Sequence, residues 1–281
     1  FHQVLDLGRA SGLLAQLSAS FHRNSSQSIV NEEANEDEIG KAISETVIAQ
    51  LDAHQDLLGT DSSYGRVWSG TATTTMFRTV YQVLRDTGRR PGEVVSLAAD
   101  CLECEAGEYA LVYDNHKKHR LRRRLPITAT TAAVIQHWQR YRTGLDIPAS
   151  TTRWLFPACN HSSGPGHLTT NRFGKALDNW VAAIPVLHGD LPGPDGSPLP
   201  LDRSLIYPYA FRHSYAQRHA DAGVAVEILK ELMDHKDLTV MQSYYTVSLK
   251  RKRDAIKIMS RYVHDCTGAH AQDQARRPAT H

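Results

Sequence analysis

One run of this chain, residues 108–127, is patterned as a β-hairpin, and most of its other apolar residues recur at helical spacing. Tyr109-Ala-Leu-Val-Tyr113 reads as one strand, Asp114 to His119 as the turn, and Leu121 to Ile127 as the return strand. Before it, a helix is expected from about Ser44, with Val47, Ile48, Leu51 and Leu57 on one face. Another spans Thr75 to Asp86 and stops at Gly88, and Pro91 suits the first turn of the next. After the hairpin, helices are expected at about 130–143, 169–184, 209–222, 225–233, 238–245 and 248–262. Residues 60–72, rich in Gly, Ser and Thr, and residues 188–203, with four prolines and three glycines, read as loops. Trp138, Trp154 and Trp180 read as core. The class implied is mainly α with a small antiparallel β-hairpin, an α+β fold.

The 281 residues are enough for one large or two small domains. Residues 23–40 are polar and read as a linker. The expected organisation is therefore the end of a preceding domain, expected to bind DNA, plus linker at 1–40, a main domain at 41–265 and a flexible tail at 266–281. A chain that opens on Phe1 rather than Met is expected to be part of a longer protein. No apolar run approaches the roughly 20 residues that span a bilayer, so no membrane partner is expected. Four cysteines without a regular framework suit a reducing cytoplasm. The net charge is only +2, but it is patterned: residues 32–38 are acidic, while 116–124 and 250–253 are basic.

Several residues carry phosphate chemistry. Arg89 and Arg90 stand at a Gly-to-Pro junction where a helix begins, and Arg212 falls in the first turn of another. A helix start favours an anion, and a guanidinium adds donors matched to phosphate oxygens. Glu93, three residues after Arg90, is placed to pair with it. Lys118, with Lys117 as fallback, stands on the hairpin turn, where a lysine can protonate a leaving oxygen. Arg120, Arg122, Arg123 and Arg124 suit phosphate affinity. His235 can donate to a phosphate oxygen. Tyr244 can attack if cations around it favour its phenolate. Each residue alone also has an ordinary structural reading, as a salt bridge, a solvated turn or a packed ring; the order and spacing of the set single it out.

That set resembles the catalytic domain of the tyrosine recombinase, or phage integrase, family. Thr87-Gly88-Arg89-Arg90-Pro91-Gly92-Glu93 matches the first box, with Arg90 as its arginine and Glu93 as its acid. Lys118 stands eight residues before Pro126 of Leu125-Pro126-Ile127, as the family's hairpin lysine does. Tyr209-Ala-Phe-Arg212-His213 matches the His-x-x-Arg-His box with Tyr209 in place of the first histidine, and Asp234-His235 matches the Gly-His box. The family nucleophile nine residues on is Tyr244, with Tyr245 beside it. The resemblance covers about residues 41–264 and implies an integrase-like DNA breaking and rejoining domain. It implies site-specific recombination through a 3′-phosphotyrosyl intermediate, without metal or other cofactor. It also implies double-stranded DNA as partner, a homo-tetramer on two DNA sites, and a cytoplasmic, nucleoid-associated protein of bacteria or their mobile elements. Tyr209 departs from the pattern because it cannot be cationic, which leaves the base for Tyr244 unassigned.

Three other readings stay open. A DNA-binding protein of the same fold would bind without covalent chemistry, and a type IB topoisomerase would relax supercoils without a fixed site. Cys101-Leu-Glu-Cys104 with Cys159 and His161 is the one arrangement suited to zinc, but strand and hairpin intervene and no metal is assigned.

Overall fold

The structure, a computed structural model, describes residues 42–60, 68–158 and 166–235. The helices expected at 238–245 and 248–262 lie outside those residues, as do residues 1–41, Tyr244, Tyr245, Cys159 and His161.

Helix α1 (Glu45–Ala53) is capped by Ser44, whose hydroxyl accepts from the Val47 amide, and it buries Val47, Ile48 and Leu51 as its spacing predicts. Helix α2 (Gly70–Thr87) begins five residues earlier than expected. Gly and Thr are poor helix formers, but Ser69 caps this end and Ala72, Thr73 and Thr74 are buried, so packing overrides propensity. The hydroxyls of Thr73, Thr75 and Thr79 turn back onto carbonyls four residues before. Gly88 ends α2 at φ +59°, and a Cβ there would lie 2.5 Å from the Tyr215 ring. Both facts require glycine. Helix α3 (Pro91–Val95) starts three residues later.

The hairpin is one part of a three-stranded antiparallel sheet in the order β1 (Leu102–Glu105), β2 (Glu108–Asn115), β3 (Arg120–Ile127). Strand β1 was not expected. It has four residues, two of them glutamates, and it joins β2 through Ala106-Gly107, both at positive φ, the geometry of a tight hairpin turn. Strand β2 runs to Asn115, past the expected Tyr113, with a register shift at Asp114. The turn itself is a 3-10 turn at His116–Lys118.

Helices α4 (Ala129–Arg142) and α5 (Thr170–Ala183) follow. The expected loop at 188–203 contains a second antiparallel pair, β4 (His188–Pro192) and β5 (Pro198–Pro200). Its prolines hid it, since proline cannot donate to a ladder and is confined to edge positions such as these. Helices α6 (Ala210–Asp221) and α7 (Val226–Leu232) close the described chain.

Helix α2 packs on both α4 and α6. The core holds Phe77, Tyr81, Trp138, Phe156, Phe173, Trp180 and Phe211. Burial of side chains this size contributes about 1.5–3 kcal/mol each. Trp138 and Trp180 are core as expected. Trp154 is only partly covered, with the Arg153 guanidinium 4.6 Å from its ring centre and His167 edge-on. Among the described residues no helix is long and apolar enough to cross a membrane.

Candidate active site

Gly88 turns the chain so that two consecutive arginines diverge. Arg89 goes into the protein and is fully buried. Its guanidinium donates to the Tyr113 hydroxyl, lies 4.6 Å from the centre of the Tyr113 ring, and donates to the Leu232 carbonyl. Arg90 is the N-cap of α3. Its Nη1 meets Glu93 Oε1 at 2.8 Å, and Glu93 Oε2 accepts from the Arg90 backbone amide at 3.1 Å. This is a capping box closed by an ion pair, and both partners are buried.

Arg212 enters from the first turn of α6 and is 2% exposed. Its Nη1 donates to the Gly88 carbonyl at 2.7 Å, and its Nη2 donates to the Met233 carbonyl at 2.7 Å. Nη2 also lies 2.7 Å from His235 Nε2. A guanidinium carries only donors, so Nε2 accepts; His235 here is neutral, with its proton on Nδ1. Burial lowers the Arg212 pKa, and repulsion from Arg90 and Arg89 lowers it further against the favourable influence of Tyr209 and Glu93. Two of the expected site arginines thus sit close enough to repel in a poorly solvated place, a field that favours an anion.

Tyr209 precedes α6, is 7% exposed, and has its ring 5.6 Å from that of His213. Lys118 reaches from the 3-10 turn at the hairpin tip, and its Nζ donates to the Asp234 carbonyl at 2.5 Å. The structure therefore brings Arg90, Glu93, Lys118, Tyr209, Arg212 and His235 into one region, from positions as far apart as 90 and 235. Tyr244 is outside the described residues.

The basic strand is more neutralised than its sequence suggests. Arg122 and Arg124 reach Glu103 at 3.4 and 2.7 Å, while Arg120 and Arg123 approach Asp234 at 2.7 and 3.9 Å. Lys117 is exposed. Sequence reasoning missed Asp234 and Asn115 as partners of the hairpin. Their one legible signal was an aspartate in the glycine position of the Gly-His box. The Cys101 thiol is buried, and desolvation together with Asp100 pushes its pKa up to about 12. Cys104 is exposed on β1. Among the described residues no three His, Cys, Asp or Glu side chains gather as metal ligands do.

Comparison with known proteins decides the family. The model of the phage integrase family matches residues 60–251, more than half of the chain. The chain belongs to the phage integrase family. Its curated relatives include the tyrosine recombinase XerD of Rhizobium meliloti, 26% identical over 176 residues, which are 63% of this chain and 49% of that protein. Another is XerD of Listeria monocytogenes, 27% identical over 177 residues, covering 63% and 52%. The chain spans about half the length of the curated relatives it matches. Among solved structures it resembles the XerH site-specific recombinase bound to a palindromic difH substrate after cleavage, with a TM-score of 0.56 and 16% identity over 82% of this chain and 56% of that one. It also resembles the XerA recombinase, at 0.51 and 13%, covering 77% and 64%. At these identities the likeness establishes the integrase catalytic-domain fold, in agreement with the α+β class of helices and one small antiparallel hairpin expected from the sequence.

Proposed function

We propose that this chain carries the catalytic domain of a tyrosine-type site-specific recombinase that cuts and rejoins double-stranded DNA through a 3′-phosphotyrosyl intermediate. The observation that supports it best is the buried cationic cluster of Arg90 and Arg212 beside neutral His235 and the tip of a basic hairpin. Three of the five N–H groups of Arg212 are engaged by described partners, which fixes the plane of its guanidinium. Arg90 and Arg212 clamp the scissile phosphate and stabilise the charge that grows on its non-bridging oxygens. His235, with its proton on Nδ1, and the Tyr209 hydroxyl are the neutral groups beside them.

Tyr244, its phenolate favoured by the cations around the phosphate and its proton given up to solvent, attacks phosphorus, and the bond to the 5′-oxygen breaks. Lys118 gives that oxygen its proton, a contribution of about 10²–10⁴ in rate. A 5′-hydroxyl of another strand then reverses the step and joins the exchanged strands. The phosphotyrosyl bond conserves the energy of the broken phosphodiester, so ATP is not required. DNA partners Lys117, Arg120, Arg122, Arg123 and Arg124 for affinity, and a homo-tetramer on two sites is the assembly this chemistry serves. The domain occupies residues 41–265, after a linker and the end of a preceding DNA-binding domain at 1–40.

The test is a DNA substrate nicked beside the cleavage site, which traps the covalent adduct. Wild-type protein forms it and Tyr244→Phe does not. An adduct that survives in Tyr244→Phe and vanishes in Tyr245→Phe moves the nucleophile by one residue. DNA binding without any adduct favours the non-catalytic reading. Relaxation of supercoiled plasmid without a fixed site favours the topoisomerase reading.

A further inference from the structure

Asp234 is 1% exposed, and it sits at φ +50°, where glycine is least strained and aspartate is among the few other residues tolerated. Both ends of the residue are used. Its carbonyl accepts from Lys118 Nζ at 2.5 Å. Its carboxylate accepts from Asn115 Nδ2 at 2.5 Å and from Arg120 Nη1 at 2.7 Å. The amide of Asn115 then faces the other way, its Oδ1 accepting from the Lys118 backbone N–H at 3.1 Å. A continuous path therefore runs from the Asp234 carboxylate through one rigid side-chain amide to the backbone of Lys118. The residue after Asp234 is His235.

We propose that Asp234 is a positioning residue for Lys118. Its carboxylate fixes the hairpin tip against the turn that carries His235, so that the lysine is presented to the leaving oxygen from a set height. This rests on reading Lys118 as the general acid. The Lys118 bond to the residue 234 carbonyl is open to any residue there, so substitution tests the carboxylate alone. Burial opposes ionisation of that carboxylate, but the Asn115 hydrogen bond and the charges of Arg123 and Arg120 outweigh it and lower its pKa.

Two nicked substrates separate positioning from general damage, one with the natural 5′-oxygen and one with sulfur in its place at the scissile bond. A thiolate is a far weaker base than an alkoxide and leaves without a proton. Asp234→Gly keeps the backbone geometry relaxed and removes the carboxylate. It should cut the oxygen substrate about tenfold or more slowly, and the sulfur substrate within about twofold of wild type. Asp234→Asn, which keeps one acceptor oxygen, should fall between. Lys118→Ala should show the same rescue from a deeper loss. Equal slowing of Asp234→Gly on both substrates, or wild-type rates on both, overturns the proposal. If sulfur fails to rescue Lys118→Ala itself, the general-acid reading falls and this proposal falls with it.

Discussion

Arg89 and Arg90 are adjacent and chemically identical, yet they do different work. Arg89 has no exposed surface, and its partners are a ring, a phenol and a helix-end carbonyl. Arg90 is held by Glu93 and adds to the field at Arg212. The prediction for Arg89→Ala is a loss of about 3–5 kcal/mol in chemical denaturation, because buried acceptors are stranded. For Arg90→Ala the expected loss is at least about 10²-fold in cleavage, read as adduct formation, with much of the DNA affinity retained. The box pattern named Arg90, Arg212 and Lys118 from sequence, since their spacing is local. The same spacing set Arg90 apart from Arg89, but nothing local foretold the burial of Arg89; that depends on the Gly88 turn and on where Tyr113 and Leu232 lie.

On the proposed reading of the hairpin arginines as phosphate contacts, strand β1 tempers how strongly they hold DNA. Glu103 occupies Arg122 and Arg124, so phosphate must compete with it. These arginines are mostly exposed, and such pairs contribute about 0–1 kcal/mol. Glu103→Gln should therefore tighten DNA binding by up to about fivefold at low salt, with a steeper fall as salt rises, measured by titration across ionic strengths. The link between hairpin and α7 adds a pH dependence. The folded-state pKa of Asp234 is lowered, so its contribution to stability is present above the unfolded value near 4 and is lost as pH falls through the folded one. Thermal melts from neutral pH downward should show a shallower acid loss in Asp234→Asn than in wild type. The helices flanking this sheet were legible because their apolar faces repeat. Strand β1 and the β4–β5 pair were not, because four residues with two glutamates, and a run dense in proline, carry no period of two.

Across the whole molecule, the site gathers a helix cap, a hairpin tip, a helix start and the turn after α7, each from a different part of the chain. The cations at that point are arginine and lysine side chains, and on this reading a chelator should leave adduct formation on the nicked substrate unchanged. A loss restored by a divalent ion would show that the clamp is incomplete. The architecture was legible at the level of class and motif order. The network through Asn115 and Asp234 was not, since it joins residues 119 apart in sequence.

The end of α7 is held in an unusual way. The carbonyls of Leu232, Met233 and Asp234 are each met by a cation, from Arg89, Arg212 and Lys118 in turn. Arg212 and Lys118 are also the residues proposed to meet the phosphate. A lineage that drifts away from DNA cleavage cannot discard Arg212 without loosening the end of this helix. Descendants that no longer cut DNA are therefore expected to keep that arginine. In sequences of this kind, an intact Arg212 reports an intact fold and is not by itself the mark of a living enzyme.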